Sequence, residues 1–312
     1  MPVWLTCASH SPLMRTDIEA TDPARQRAYF DAMSTAAAGL DSFDPDVVVV
    51  FYPDHFIGFH LDLMPSFCVA LAASSAPEFG IEHNVLDVPT ELGEDLVRHL
   101  LAADFDVAFS KRLVVDHGAT LPLILLSGSV AGRPVLPIFI NCVGDPRPSF
   151  ARVRRFAEEV GRFFAGRDLK VAVIGSGGLS HDAPVGRFAK ANPTLFFREN
   201  ARSASQQKSY EDHGVRNARA MMSGDDTASR QPNEAWDAWF LDQILAFDTD
   251  ALDALTDEAL DEDAGGGTHE VRTWVAAIAA ARAMGNLELA VEFYAVIPEW
   301  ITGMGVMVGH GK

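Results

Sequence analysis

The alternation of short apolar runs with amphipathic segments of helical period constrains the fold of this chain most strongly. Val47–Phe51 and Val135–Ile140 are almost wholly apolar, as expected of strands that are buried on both faces of a sheet. The predicted strands are Val3–Cys7, Val47–Tyr52, Val107–Ser110, Val135–Asn141 and Lys170–Ile174. The predicted helices are Pro23–Leu40, Leu92–Ala103, Phe150–Ala165, Glu234–Ala246 and Glu270–Ala281. This alternation predicts an α/β fold with a mixed or parallel central sheet flanked by helices.

The remaining segments show no internal repeat and no long linker, so we expect residues 1–312 to form a single domain. Residues 192–232 are polar and lack a strand pattern, and we expect a helix there with an exposed loop near residues 222–234. Residues 247–267 mix leucines at helical spacing with many carboxylates, which is typical of a solvated helix face.

The composition limits the classes of partner. The chain carries 25 basic and 43 acidic residues, a formal net charge of −18, which repels nucleic acid and anionic membranes. We therefore expect neither as a partner. The three cysteines are far apart in sequence, and no signal-peptide pattern or membrane-length apolar run is present. These features predict a cytoplasmic protein.

A glycine-rich stretch, "VIGSGGLSHD" at residues 173–182, resembles a phosphate-binding loop only in part. Gly175 and Gly177 fit the G-x-G-x-x-G pattern, but Ser180 stands at the position of the third glycine. Pro184 follows closely, and no clear amphipathic helix is predicted after it, so the helix terminus that would hold a phosphate is missing. We interpret the glycines as a tight turn that carries His181 into a site.

Four of the ten histidines occur in the same setting. Each follows Ser or Asp directly and falls at or just beyond an apolar run; they are His10, His55, His117 and His181. A single histidine there is usually a loop residue, but loops at the carboxyl ends of strands converge on one crevice in α/β sheets. Four in this setting predict a functional site.

Glu270, in "GGGTHEVRTW", is the best acidic candidate to join these histidines. A carboxylate in the first turn of a helix is also favoured by the helix dipole alone. The three preceding glycines favour a functional role, because they allow the backbone to approach a crowded site. Two histidines and one carboxylate bind Fe(II) in non-haem oxygenases and also hold catalytic zinc, so the residues alone leave the metal open.

Eight motifs in order along the chain resemble the class III extradiol ring-cleaving dioxygenases, especially the group that acts on 2,3-dihydroxyphenylpropionate. The motifs are "CASHSPL", "PDHFIGF", "MPSFC", "VDHG", "LPIFIN", "GSGGLSH", "THEVRTWVAA" and "IPEWITGMG". The resemblance runs from Met1 to about Gly305 and is weak only over residues 192–232.

The resemblance implies an Fe(II) enzyme that opens a catechol ring with O2 and forms homo-oligomers. It places the metal ligands at His10, His55 and Glu270 and the acid–base catalysts at His117 and His181. Which of the two catalysts is the base stays open. Neighbouring residues that could orient these groups or contact substrate are Asp116, Ser180 and His269.

Two further questions stay open at this stage. The arginines that could bind a substrate carboxylate are Arg198, Arg202 and Arg272. The apolar side chains that could wall an aromatic pocket, although core packing is the more common role for each, are Phe56, Phe59, Met64 and Phe67. Alternative functions are cleavage of another catechol or an aminophenol, a zinc hydrolase, and a non-catalytic scaffold, which would need neither His117 nor His181.

Overall fold

A computed structural model describes residues 2–183, 185–225 and 230–311. The strands are β1 (Val3–Ala8), β2 (Val47–Tyr52), β3 (Phe67–Ala70), β4 (Ala73–Ser75), β5 (Ala108–Ser110), β6 (Leu113–Val115), β7 (Val135–Ile140), β8 (Val171–Ser176), β9 (Leu287–Ile297) and β10 (Thr302–Gly311). The helices are α1 (Pro23–Phe43), α2 (Thr90–Ala102), α3 (His117–Ser127), α4 (Phe150–Ala165), α5 (Val185–Ala191), α6 (Ala204–Ser223), α7 (Glu234–Ala246), α8 (Thr249–Asp253), α9 (Asp257–Asp263) and α10 (Arg272–Met284).

The main sheet is mixed and has eight strands in the order β5-β3-β7-β2-β8-β1-β10-β9. At its centre β8 lies between β2 and β1 and is parallel to both. The strands β2, β7 and β8 are buried along their whole length, because helices cover both faces of the sheet. The predicted α/β fold with a mixed central sheet is therefore confirmed.

Two apolar clusters cover the two faces of this sheet. One contains the buried sides of α4 and α10, and the other contains those of α1 and α3. Helix α10 packs against both α4 and β8. This packing is important for the site, because only Val271 separates Glu270 from Arg272, the first residue of α10.

The sequence pattern missed several elements. The antiparallel hairpin β9–β10 was not predicted, and β9 is half-exposed along most of its length, so it lacks the apolar run that marks the central strands. Helix α3 was missed because Gly118 and Pro122 break its helical signal. The prediction that no helix follows the glycine-rich stretch is wrong: α5 begins at Val185, and Pro184 itself lies outside the described residues.

The polar segment before α7 does contain the expected helix, α6. Residues 226–229 of the predicted exposed loop lie outside the described residues. The acidic segment that follows α7 forms two short helices, α8 and α9. None of the described helices has the length and apolar character needed to cross a membrane.

Candidate active site

Four histidines meet beyond the carboxyl ends of the central strands, as the sequence predicted. His10 follows β1, His55 follows β2, His181 follows β8, and His117 is the first residue of α3. The ring centroids of His10 and His55 are 5.8 Å apart, and those of His55 and His117 are 4.3 Å apart. All four side chains are buried. A cluster of imidazoles therefore lies in the crevice where the loops after these strands meet.

Two of these imidazoles are held at Nδ1 by groups of β8 and its loop. Ser176 Oγ donates its proton to the Gly118 carbonyl at 2.5 Å, so it can only accept from His10 Nδ1 at 2.9 Å. His181 Nδ1 lies 2.8 Å from the Leu179 carbonyl oxygen and must donate to it. These contacts assign a proton to Nδ1 of each ring, so that Nε2 of each ring faces Glu270.

The other two imidazoles are held at Nδ1 by buried carboxylates. Asp116 Oδ2 accepts hydrogen bonds from both the backbone N–H and Nδ1 of His55, each at 2.7 Å. Glu78 Oε1 accepts from the backbone N–H of His117 at 2.6 Å and from its Nδ1 at 3.0 Å. A carboxylate or other acceptor at the outer nitrogen fixes the ring and leaves the inner nitrogen for a metal or a proton.

Glu270 lies at the centre of the cluster. Its Oε1 is 3.0 Å from His55 Nε2 and 3.7 Å from His181 Nε2, and its Oε2 is 3.6 Å from His10 Nε2. The backbone N–H of Gly178 donates to Glu270 Oε2 at 2.8 Å. One carboxylate therefore lies within 3.7 Å of the Nε2 atoms of three of the four imidazoles.

Burial and charge act against each other on the pKa values of this cluster. Burial lowers the pKa of His10 to about 3, although Glu270 opposes the shift, so His10 is a neutral imidazole. Burial raises the pKa of Glu270, but the neighbouring imidazoles, including those of His181 and His55 that hydrogen-bond to it, outweigh burial and hold this pKa well below its ordinary value. Burial lowers the pKa of His55 as well, but Asp116 and Glu270 outweigh it and raise this pKa well above its ordinary value. A metal ion therefore meets a neutral ligand at His10 and an ionised one at Glu270, and would displace a proton from His55.

The glycine-rich stretch brings Glu270 to the strand end. A Cβ atom on Gly177 would lie 2.6 Å from the Glu270 carbonyl oxygen, and one on Gly175 would lie 2.8 Å from Ala277 Cβ of α10. Trp274 Nε1 donates to the Gly177 carbonyl at 3.0 Å and holds the helix in place. The glycines thus serve close packing against α10, and the Gly178 amide already binds a carboxylate of the protein itself.

The glycine stretch before Glu270, residues 265–267, gives a testable prediction. A Cβ atom on Gly267 would lie 2.1 Å from His181 Nε2, whereas one on Gly266 meets nothing closer than 3.6 Å. We expect Gly267→Ala to displace His181 and to lower kcat about 10- to 100-fold, because small displacements of reacting groups are costly. Gly266→Ala is the matched control and should stay within about twofold of wild type by the same argument. Equal rates for the two variants, measured by steady-state kinetics, would contradict this packing.

The donor atoms fit a single metal ion. The oxygens of Glu270 lie 3.0 and 3.6 Å from the Nε2 atoms of His55 and His10, close to the separation of about 3 Å between neighbouring ligands bound at about 2.1 Å. His10, His55 and His117 also offer ring nitrogens within 4.8 Å of one another. Glu78, Asp116 and His117 form another group of three donors within the same distance of one another. Among the described residues, the sets that contain Glu270 or His117 together with two further imidazoles share His10 and His55.

The three residues predicted to orient the site or contact substrate, Asp116, Ser180 and His269, have different partners. Asp116 holds His55 rather than its neighbour His117. The Ser180 backbone N–H and side chain both bind buried Asp237, at 2.7 Å each, so Ser180 fixes the loop before His181. His269 contacts Asp261 and Arg272 through its ring nitrogens and points away from the four imidazoles.

Glu78 and Asp237 are the residues that sequence reasoning missed. Each is a buried carboxylate whose partner is far away in sequence: His117 for Glu78 and Ser180 for Asp237. Neither lies in a recognisable motif, so only their partners could have pointed to them.

The four candidate pocket residues fall into two groups, one in the core and one beside the site. Phe59 stacks on Phe139 and Phe67 stacks on Phe156, both with centroids 4.0 Å apart, which is core packing. Phe56 instead packs with Phe196 in a small separate apolar cluster, and Met64 contacts the same cluster. Because Phe56 follows His55 directly, this cluster borders the site.

Comparison with known proteins identifies the family. A family model described as the catalytic LigB subunit of aromatic ring-opening dioxygenase matches residues 5–305. The chain is 40% identical over 315 residues to a 2,3-dihydroxyphenylpropionate/2,3-dihydroxicinnamic acid 1,2-dioxygenase of Rhodococcus globerulus, with 97% of this chain and 96% of the relative covered. Proteins of the same name from Paraburkholderia xenovorans and Rhodococcus sp. are 41% and 42% identical; the alignments cover 98% of this chain and 97% and 98% of those relatives. The chain therefore belongs to the LigB family of aromatic ring-opening dioxygenases.

Proposed function

We propose that this chain is an Fe(II)-dependent extradiol dioxygenase that opens the ring of 2,3-dihydroxyphenylpropionate, and of its cinnamate analogue, with O2. The observation that carries the proposal is a cluster of four Nδ1-anchored imidazoles, three of which place Nε2 within 3.7 Å of the carboxylate of Glu270. The substrate is proposed from the relatives that are 40% and 41% identical, which are 2,3-dihydroxyphenylpropionate/2,3-dihydroxicinnamic acid 1,2-dioxygenases. Membership of a ring-opening family favours this function over a zinc hydrolase with the same ligands.

The proposed iron ligands are His10, His55 and Glu270. Two imidazoles and one carboxylate leave open positions for substrate and O2, as in non-haem oxygenases. When bound there, Fe(II) would make a catechol hydroxyl more acidic and bring both reactants together. Asp116 supports this assignment, because its hydrogen bond to His55 Nδ1 directs Nε2 towards Glu270.

The proposed proton carriers are His117 and His181. Each ring is anchored at Nδ1, so Nε2 can accept a proton and return it later. One of them takes a proton from a catechol hydroxyl at Nε2, and the other donates a proton to an oxygen atom derived from O2 while the ring opens, and this oxygen is kept in the product. The product is a ring-opened hydroxy-oxo-dienedioate, which contains both atoms of O2.

Oxygen uptake tests the proposal. Protein reconstituted with Fe(II) under anaerobic conditions is mixed with 2,3-dihydroxyphenylpropionate or catechol in air-saturated buffer. We expect uptake of one O2 for each substrate molecule and a yellow product, with the propionate compound preferred. Absence of uptake with both compounds would contradict the proposed function, whereas uptake with catechol alone would contradict only the substrate.

A further inference from the structure

Arg202 reaches the candidate site from the segment before α6. Its Nε donates to Gln207 Oε1 at 2.8 Å, and its guanidinium lies over the ring of Tyr210, 4.2 Å from the ring centroid. Its Nη2 lies 3.4 Å from the backbone carbonyl oxygen of His55. The guanidinium is therefore held beside a proposed metal ligand by three contacts.

Two other arginines that could bind a substrate carboxylate are placed differently. Arg272 is fully buried, donates to the Pro148 carbonyl and forms an ion pair with Asp257, so its charge is already neutralised. The side chain of Arg198 is exposed to solvent. Arg202 alone of the three combines contact with the site and partial burial, and no acidic side chain among the described residues forms an ion pair with it.

The charge of the whole chain is unfavourable for an anionic substrate, and a cation at the site would offset it locally. With a net charge of −18, the protein repels carboxylates at long range. A guanidinium has five N–H donors in a planar fork that matches the two oxygens of a carboxylate. Nε and Nη2 of Arg202 use two of these donors, and Nη1 makes no hydrogen bond within the described part of the chain.

We infer that Arg202 binds the side-chain carboxylate of the substrate and so determines the preference for a catechol that carries an acidic chain. This inference rests on the proposed function. A chain of hydrogen bonds connects the same arginine to the catalytic cluster: Gln207 Nε2 donates to Glu78 Oε2 at 3.3 Å, and Glu78 holds His117. Substrate recognition and the orientation of a proton carrier therefore share one network.

The test compares an acid with a neutral compound of nearly the same shape. The substrates are 2,3-dihydroxyphenylpropionate and its primary amide, and the variants are Arg202→Met, Arg202→Lys and the control Arg198→Met. We expect the ratio of kcat/KM for the acid to kcat/KM for the amide to fall about 10- to 100-fold in Arg202→Met, because a charge-assisted bidentate contact is lost. Arg202→Lys keeps a point charge and should lose less, and Arg198→Met should keep the wild-type ratio.

The ratio separates recognition from general damage, because a disturbed fold lowers both rates together. An Arg202→Met ratio within about threefold of wild type, or an equal fall in Arg198→Met, would overturn the inference. Calorimetric binding of 3-phenylpropionate to wild type and to the Arg202 variants makes the same comparison without turnover. If wild type cleaves no catechol, the proposed function fails, while loss of 3-phenylpropionate binding in Arg202→Met still supports Arg202 as the carboxylate site.

Discussion

Replacement of His55 by alanine is expected to remove bound iron and activity together. The Nε2 atom of His55 lies 3.0 Å from Glu270 Oε1, and Asp116 fixes the ring from the other side. Loss of either ligand leaves too few donors to retain the iron. His55→Ala and Glu270→Ala should therefore both lower kcat by about three orders of magnitude or more. His10→Ala should behave in the same way. Elemental analysis of each purified variant measures the iron directly.

A matched control and a clear contradiction are available for this ligand set. His99 lies on α2 and contacts Glu159 rather than the site, so His99→Ala should keep both iron and activity. His10, His55 and His117 form the competing set of donors. If His117→Ala loses iron while Glu270→Ala retains it, the third ligand is His117 and the assignment of Glu270 is wrong.

The sequence predicted the parts of the site that depend on local signals. The apolar runs of β1, β2 and β8 place a histidine or a glycine turn at the end of each strand. Parallel pairing then brings these ends together, which is a general property of such sheets and not of this chain. The motifs also indicated the family, and the match over residues 5–305 confirms that resemblance.

The parts that the sequence did not predict depend on contacts between distant segments. Glu78 reaches His117 across 39 positions and Asp237 reaches Ser180 across 57, and no spacing rule connects such pairs. The choice of Arg202 over Arg272 likewise needed the ion pair between Arg272 and Asp257, which forms only when α9 and α10 are in place. Burial and long-range pairing decide these roles, and neither is visible in local sequence.

Replacement of His181 by alanine is expected to leave iron in place but to slow turnover strongly. His181 donates through Nδ1 to the Leu179 carbonyl and presents Nε2 to Glu270 at 3.7 Å, farther than His55 does. A group at this position can move a proton without being needed as a ligand. Loss of a general acid or base costs about 10²- to 10⁴-fold, so kcat should fall by that factor in His181→Ala and also in His117→Ala.

The decisive result for His181→Ala and His117→Ala is that kcat falls while the iron content stays that of wild type. Added imidazole should partly restore turnover, because the cavity left by the ring can admit a free base, and it should not restore a variant that has lost its metal. Single-turnover kinetics under saturating substrate measure the step that each histidine serves, and a build-up of deprotonated but uncleaved catechol in one variant identifies its histidine as the acid. Since the Gly267→Ala methyl group would lie against His181 Nε2, that variant should show the same separation in weaker form. A His181→Ala protein without iron would instead make His181 a metal ligand and exclude it as a proton carrier.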